Sequence, residues 1–412
     1  MFWIYNLLLY FILLLSPFII IYRLIIKKED LNRFKEKFCF FSHKKPNNKN
    51  VIWFHGSSVG EINSIIPLIE KLERDKNIDI ILITSSTLSS SKVLSKFKFK
   101  KIIHQFYPID SNFLTNQFLN HWSPSSVFFI DSEIWPNMIN NLNKNNIPIT
   151  LLNARITKKT FKKWIFLKNF SKKIFGKINL CLASSHETKN YLKKLGAKNI
   201  KFIGNIKFSQ SENGISEISE KLKKFLNSKK TWCASSTHFS EEQFCGHVHK
   251  KLKLKYENLL TIIIPRHIDR VDKIKDDLKK LGLKIHLHEP EKKIQKDTDI
   301  YIVNAFGKTK SFYKICKNVF LGGSLVNHGG QNPLEATRYG CNILHGPNIH
   351  NFKEIYKLLK KINISNEIKD KDRMIKVLEQ LFIKKANSKN KQIKLKLIGK
   401  KILDKTYKEI IL

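Results

Sequence analysis

Residues 319–352, VFLGGSLVNHGGQNPLEATRYGCNILHGPNIHNF, constrain the fold more than any other stretch of the chain. Val319-Phe320-Leu321 runs into Gly322-Gly323-Ser324. A second pair, Gly329-Gly330, precedes Asn332-Pro333-Leu334-Glu335, and Tyr339-Gly340 leads into Ile343-Leu344. The pattern predicts strand, glycine turn, short helix and strand. Glycines at the carboxyl end of a strand let backbone approach a ligand, and a helix start offers free N–H groups to an anion. Asn332 before Pro333 suits a helix cap with proline in the first turn. Glu335 then falls on that first turn, placed to accept hydrogen bonds from vicinal hydroxyls such as those of a ribose. The glycines alone are equally compatible with an ordinary βα connection. Asn-Pro-x-Glu favours a nucleotide site.

A chain of 412 residues is too long for one compact core and suits two domains. Its net charge of +41 comes mostly from lysine scattered through the helical segments and the tail. Such a surface matches anionic lipid, phosphorylated substrates or nucleic acid. The sequence has no arginine-rich, aromatic-interleaved patch of the kind that stacks bases, so nucleic acid is not an expected partner. Cys39, Cys181, Cys233, Cys245, Cys316 and Cys341 show no CxxC spacing and read as reduced core residues of a cytoplasmic body. The pairs His247/His249 and His286/His288 have no cysteine or carboxylate at ligand spacing. No metal and no cofactor are expected.

Residues 2–22 carry no charge, and Arg23, Lys27 and Lys28 follow. That length crosses a bilayer core. A basic leader and a small-residue cleavage site are both missing, which argues against a cleaved signal peptide. Basic residues on the carboxyl side alone place the body in the cytoplasm. Asn6 and Pro17 weaken a straight span, so a monotopic anchor is the alternative. In the connector at 30–50, Phe34, Phe38, Phe40 and Phe41 either dip into the membrane interface or cover the edge of the first domain.

Beyond it, buried-strand patterns alternate with helical ones. Strands are expected at Val51–Phe54, Ile78–Thr84, Val127–Asp131, Ile149–Asn153 and Asn179–Ala183. After the polar stretch Ser209–Ser219 the pattern restarts, with strands expected at Thr231–Ser235, Leu259–Ile264, Leu283–Leu287, Asp299–Val303, Val319–Leu321 and Asn342–Leu344. Alternation of this kind implies parallel sheets covered by helices on both faces. The expected architecture is an α/β fold with a membrane anchor at 1–28 and two Rossmann-like domains, 29–206 and 207–412, facing a cleft. The last 48 residues read as lysine-rich helix.

Several residues at the predicted strand ends can carry chemistry. Glu61 follows His55-Gly56-Ser57-Ser58 at the start of a helix. There it serves either as a general base for an attacking hydroxyl or as an acid complementing the helix dipole. Asp131-Ser132-Glu133 ends another strand, where acceptor binding is preferred over a divalent-metal site. Arg155 ends the next strand, free to pair with a carboxylate or phosphate or to form a structural ion pair. In the second half, Ser235 and Thr237 end one strand and Arg266 another. All three lie where a phosphate would sit beside Gly322–Ser324, and Arg266 is the expected phosphate clamp. Helix capping is the alternative role for the two hydroxyls.

The segments WFHGSSVGE (53–61), DSEIWPN (131–137), LLNARI (151–156), IGNIKF (203–208), ASSTHFSEE (234–242), IPRH (264–267), GGSLVNHGGQNPLE and HGPNIHNFKE (322–354) occur in this order across almost the whole chain. Together they resemble the Kdo transferases, which move 3-deoxy-D-manno-octulosonic acid from CMP-Kdo to lipid A precursors. The resemblance implies a GT-B fold and an inverting, metal-independent transfer. It makes Glu61 the general base and Glu133 a second essential acid, with His55, Ser57, Ser58 and Arg155 on the acceptor side. Ser235, Thr237, Arg266, Phe306, Gly307, Gly322, Gly323, Ser324, Asn332 and Glu335 would hold the CMP-sugar. It also implies a cytoplasmic body at the inner membrane, near anionic lipid. Two departures stand out. Asn304-Ala305-Phe306-Gly307-Lys308 replaces the usual Asp-Thr-x-Gly-Glu, and Gln331 replaces a histidine. A transferase using another nucleotide sugar and an inactive nucleotide-binding relative are the alternatives.

Overall fold

Strands buried at every position, such as Leu259–Pro265, have two faces covered, which demands a sheet with layers on both sides. The computed structural model describes residues 2–210, 218–289, 292–384 and 388–411. Seven of its strands form one wholly parallel sheet: β1 (Val51–His55), β2 (Ile80–Ser85), β3 (Ile102–Phe106), β4 (Ser126–Ile130), β5 (Ile149–Ala154), β6 (Leu180–Ala183) and β7 (Ile200–Phe202). Their order is β3-β2-β1-β4-β5-β6-β7. Another seven, β8 (Lys230–Thr237), β9 (Leu259–Pro265), β10 (Ile285–Leu287), β11 (Ile300–Ile302), β12 (Asn318–Leu321), β13 (Asn342–His345) and β14 (Ser365–Glu367), form the second, ordered β10-β11-β9-β8-β12-β13-β14. Both are Rossmann-like. In each the chain reverses direction across the sheet beside its first strand, between β1 and β4 and between β8 and β12. Ligands of such sheets bind at the carboxyl ends of the strands that flank this reversal.

Three strands were not expected from the sequence: β3, β7 and β14. Each lies at a sheet edge. An edge strand has one neighbour and partial cover, so its residues need not form an apolar run. Lys201 and Phe202 of β7 are both exposed, and Asn366 and Glu367 of β14 are half-buried.

The contacts divide the chain into one unit of residues 1–210 with 399–412, and a second of 211–398. The expected division at 206/207 therefore needs correction at the carboxyl end, because the last turns of helix Ser388–Ile411 pack on the first unit. Asp404 accepts from Lys71 at 2.8 Å and Glu409 from Lys201 at 2.6 Å. A Cβ on Gly399 would come within 2.4 Å of the Phe208 carbonyl oxygen. Part of the expected polar boundary, residues 211–217, lies outside the described residues.

In the first unit Trp53, Phe118, Trp122 and Phe129 are fully buried at the centre of the core. Phe38 and Phe41 of the connector pack against it, Phe41 stacking on His121 at 3.7 Å, whereas Phe40 is exposed. All six cysteines are buried and free. Helix Phe2–Ile25 is the one helix among the described residues long and apolar enough to cross a membrane.

Gly399→Ala forces the carboxyl-terminal helix off Phe208. Thermal melting should show a loss of about 1–3 kcal/mol, the cost typical of an overpacked contact. Limited proteolysis should then release the final turns ahead of the rest of the chain.

Candidate active site

The loop between β1 and helix Val59–Leu72 is built around a reciprocal cap. Ser58 Oγ accepts from the Glu61 amide at 3.3 Å, and Glu61 Oε2 accepts from the Ser57 and Ser58 amides at 2.7 and 3.3 Å. This is the capping box that a Ser-x-x-Glu spacing produces. Both bonds to Glu61 fall on Oε2, so Oε1 is the oxygen left for a substrate. The dipole role and the base role of Glu61 are thus compatible in one side chain.

Ser57 also reaches sideways. Its hydroxyl donates to Glu133 Oε2 at 2.7 Å, so one serine holds two carboxylates, Glu61 by its amide and Glu133 by its side chain. Trp135 Nε1 donates to the same Glu133 oxygen at 2.9 Å, and His55 Nε2 lies 3.2 Å away. The carboxylates respond in opposite directions. Burial, then the charges of Glu133 and Asp131, push Glu61 above the ordinary glutamate value. Burial acts upward on Glu133 too, but the bonds from His55, Ser57 and Trp135 outweigh it and hold this acid below its usual value. A pair separated in this way supplies one acid that ionises more readily and one that holds a proton more readily.

His55 and Arg155 were expected on the acceptor side. His55 is fully buried, stacked on Tyr107 at 3.9 Å and bonded through Nδ1 to Thr84. A ring without exposed surface does not meet an acceptor, so its work is to orient Glu133. Ser57 is half-buried and Ser58 exposed. Arg155 is half-buried beside the neighbouring strand end, its amide donating to the Asp131 carbonyl at 3.0 Å. Asp131 itself takes a positive φ and binds Asn153 and, at 2.7 Å, Lys207. Its carboxylate is thus engaged by Asn153 and Lys207, partners other than those of Glu133. Lys207 was missed as a residue, although the segment containing it was recognised.

In the second unit β9, β8 and β12 are neighbours, so Arg266, Ser235, Thr237 and the glycine turn share one end of the sheet. The turn does not present free amides. Glu241, fully buried in the first turn of its helix, accepts from Gly323 and His238 N–H through Oε2 at 2.7 and 2.9 Å. Its Oε1 accepts from Ser324 and Leu325 N–H at 3.1 and 3.0 Å. Three amides of this turn, those of Gly323, Ser324 and Leu325, are thus already bound to a carboxylate. Gly322 is required for a reason internal to the fold, since a Cβ there would lie 2.5 Å from the Ser236 carbonyl oxygen. Ser324 is fully buried, its hydroxyl accepting from the Gly346 amide at 2.8 Å, and Ser235 is buried against the Tyr313 hydroxyl at 2.7 Å. Thr237 is fully buried as well.

The exposed surface beside the turn is cationic and imidazole-rich. Arg266 and His267 are exposed. The rings of His238 and His328 lie 4.3 Å apart, and Gln331 Nε2 is 3.3 Å from His238 Nε2. Burial, then the neighbouring His328, His267, Arg266 and Arg270, push His238 down to about 4. Asn332 Oδ1 accepts from the Leu334 amide at 3.1 Å, but the short helix is Leu334–Arg338 with Pro333 flanking it, so the proline stands just before the helix rather than in its first turn. Glu335 is partly exposed, with Lys310 Nζ at 3.8 Å. Phe306 is exposed, and Gly307 at positive φ has open space around it. Sequence reasoning quoted the segment containing Glu241 without singling that residue out. Its signal was an acid in the first turn after a strand, the same signal as Glu61.

The 3-deoxy-D-manno-octulosonic-acid transferase (Kdo transferase) family model matches residues 32–210. A 3-deoxy-D-manno-octulosonic acid transferase of Rickettsia bellii is 33% identical over 90% of this chain and 89% of its own length. The chain belongs to the Kdo transferase family. The Haemophilus influenzae Kdo transferase is 28% identical over 90% of this chain and 87% of its own. Among solved structures, a UDP-GlcNAc 2-epimerase from Neisseria meningitidis covers 88% of this chain and 98% of its own at 14% identity and a TM-score of 0.58, a likeness of fold alone. The protein is thus a Kdo glycosyltransferase of GT-B type. Both of its sites stand at the places where a Rossmann-like sheet holds ligands.

Two outcomes follow for this transferase. In Glu241→Gln, one oxygen that accepted two amides becomes an NH2 group. Two buried donors are orphaned, at roughly 2–6 kcal/mol in total, measurable by denaturant unfolding. The second concerns pH: a base that must be ionised loses activity as pH falls through its raised pKa. In a profile of kcat/KM, Glu133→Gln removes the neighbouring negative charge and should move the acid limb to lower pH.

Proposed function

We propose that this Kdo transferase moves Kdo from CMP-Kdo to a lipid A precursor, lipid IVA, with inversion and without a metal ion. Glu61 is the general base: its Oε1 takes the proton of the acceptor hydroxyl as that oxygen attacks the sugar. Glu133 stays ionised and raises the basicity of Glu61. Ser58 and Arg155 lie where an acceptor phosphate can meet them. On the nucleotide side, Arg266 opposes the phosphate and stabilises the charge that develops as CMP leaves. Glu335 accepts from the ribose, and Asn332, Phe306 and Gly307 line the donor site beside the buried Gly322-Gly323-Ser324 turn. Because Glu241 occupies the turn's amides, Arg266 supplies the positive charge for the donor.

The observation that carries this reading is the single serine, Ser57, holding two carboxylates whose proton affinities are driven apart. Absence of metal in the mechanism is supported by the partners of Asp131 and Glu133, which draw their carboxylates to different groups. A body on the cytoplasmic face of the inner membrane fits the basic residues that follow the apolar helix and an acceptor carried in an anionic leaflet.

The test is transfer from freshly generated CMP-Kdo to a tetra-acylated lipid A precursor. Product should form equally well with and without EDTA. Glu61→Gln should lower kcat by about 10²–10⁴, the usual worth of general base catalysis, with CMP binding unchanged. Arg266→Ala should raise the KM for CMP-Kdo and spare the acceptor KM. Folded wild type that binds CMP and makes no product would sink the proposal.

A further inference from the structure

The apolar helix Phe2–Ile25 does not stand away from the first unit. One face, comprising Phe2, Tyr5, Asn6, Leu13, Ser16 and Ile20, is at least half-buried at spacings of one to seven residues that keep to a single side. Phe2 meets the ring of Phe170 at 5.5 Å. Tyr5 donates its hydroxyl to Asp110 Oδ2 at 2.7 Å, and Asn6 Oδ1 accepts from Asn137 Nδ2 at 2.8 Å. Asp110 is itself fixed by the amides of Asn137 and Met138 at 3.0 and 2.8 Å. At the other end Arg23 bonds to Glu29 at 2.7 Å, and Glu29 to Lys37 at 2.6 Å.

These contacts bear on how the helix meets a bilayer. A helix of 24 residues is about 36 Å long, enough to cross a hydrocarbon core. If it crossed, its first turn would lie in the far leaflet, well away from a body attached to its carboxyl end. Tyr5 and Asn6 would then face lipid with their polar groups unpaired. Instead both ends are bonded to the same globular unit.

We infer that the helix lies docked along the first unit and enters one leaflet only, with its two ends on the body's side of the membrane. The outer face supplies the apolar contact, through Trp3, Leu7, Phe11, Leu14 and Phe18, all exposed. Next to its contacts are two further exposed rings, Phe113 beyond Asp110 and Phe166, 87% exposed, before Phe170. Exposed Lys162, Lys163 and Lys168 flank Phe166, so the occupant of this surface is the acyl and headgroup region of an anionic leaflet. The docking has a consequence for the site. Asn137 lies in the first turn of helix Pro136–Lys144, which follows Glu133 and Trp135, so Tyr5 and Asn6 are positioning residues for the acceptor-side loop. That last step rests on the proposed function; the topology does not.

Two measurements test it. All six native cysteines are buried, which keeps background labelling low. One variant carries a cysteine on a short Gly/Ser extension ahead of Met1, and another carries Lys49→Cys on the exposed surface of the body. Both are treated with a membrane-impermeant maleimide in inside-out and right-side-out vesicles. The two cysteines should react in the same vesicle orientation. Reaction in opposite orientations overturns the docked topology. Joint reaction on the outer face would leave docking intact and overturn the cytoplasmic placement of the body. The second measurement uses Tyr5→Phe/Asn6→Leu, which makes the segment more apolar and would suit a spanning anchor. Here the KM for the acceptor should rise several-fold with the donor KM unchanged, and an unchanged acceptor KM overturns the positioning role.

Discussion

A glutamate in the first turn of the helix after the first strand organises each half of this protein. Glu61 and Glu241 occupy the same place in two similar sheets, and each collects backbone amides from the loop it faces. What differs is how many amides reach it. Around Glu61 the loop is local, two amides converge on one oxygen, and the other oxygen stays available. Around Glu241 the turn after β12 arrives from the neighbouring strand, and four amides fill both oxygens. One acid keeps an oxygen clear of these amides and the other becomes the fixed point on which a loop is built.

That difference changes how the glycine-rich turn is understood. Free amides at a strand end would make an anion cradle, the usual explanation for glycines in this place. Here a buried carboxylate holds the amides, and the glycines answer to close backbone approaches within the fold. Under the proposed function, charge for an anionic donor must then come from a side chain, and the exposed Arg266 is a cation beside the turn. The low proton affinity of His238 follows first from burial and then from its neighbours His328, His267, Arg266 and Arg270.

In the first unit the chain of support runs from the apolar amino-terminal helix to Glu133. Tyr5 and Asn6 meet Asp110 and Asn137. Trp135 packs against Tyr107 at 5.1 Å and donates to Glu133; His55 stacks on Tyr107 and meets Glu133 from the other side. Aromatic rings exclude water from the buried side of Glu133, and three partners keep it ionised in spite of that burial. Without them, desolvation would favour its protonated form, and the upward pressure on Glu61 from a neighbouring charge would vanish.

The sequence by itself determined the parallel sheets, because uninterrupted apolar runs alternating with amphipathic helices admit few other arrangements. It also determined that Glu61, Glu133, Arg266 and the turn at 322–324 stand at strand ends, since each follows directly on such a run. Edge strands β3, β7 and β14 were not legible, for an edge lacks the second neighbour that enforces an apolar run. Tertiary structure alone decided the partners: that Ser57 joins Glu61 to Glu133, that Glu241 takes the glycine turn's amides, that His55 is sealed from solvent, and that the final turns of the chain return to the first unit. Those pairings join residues tens to hundreds of positions apart. Local propensity and periodicity act over a few turns, so only the folded chain brings such groups within hydrogen-bonding distance.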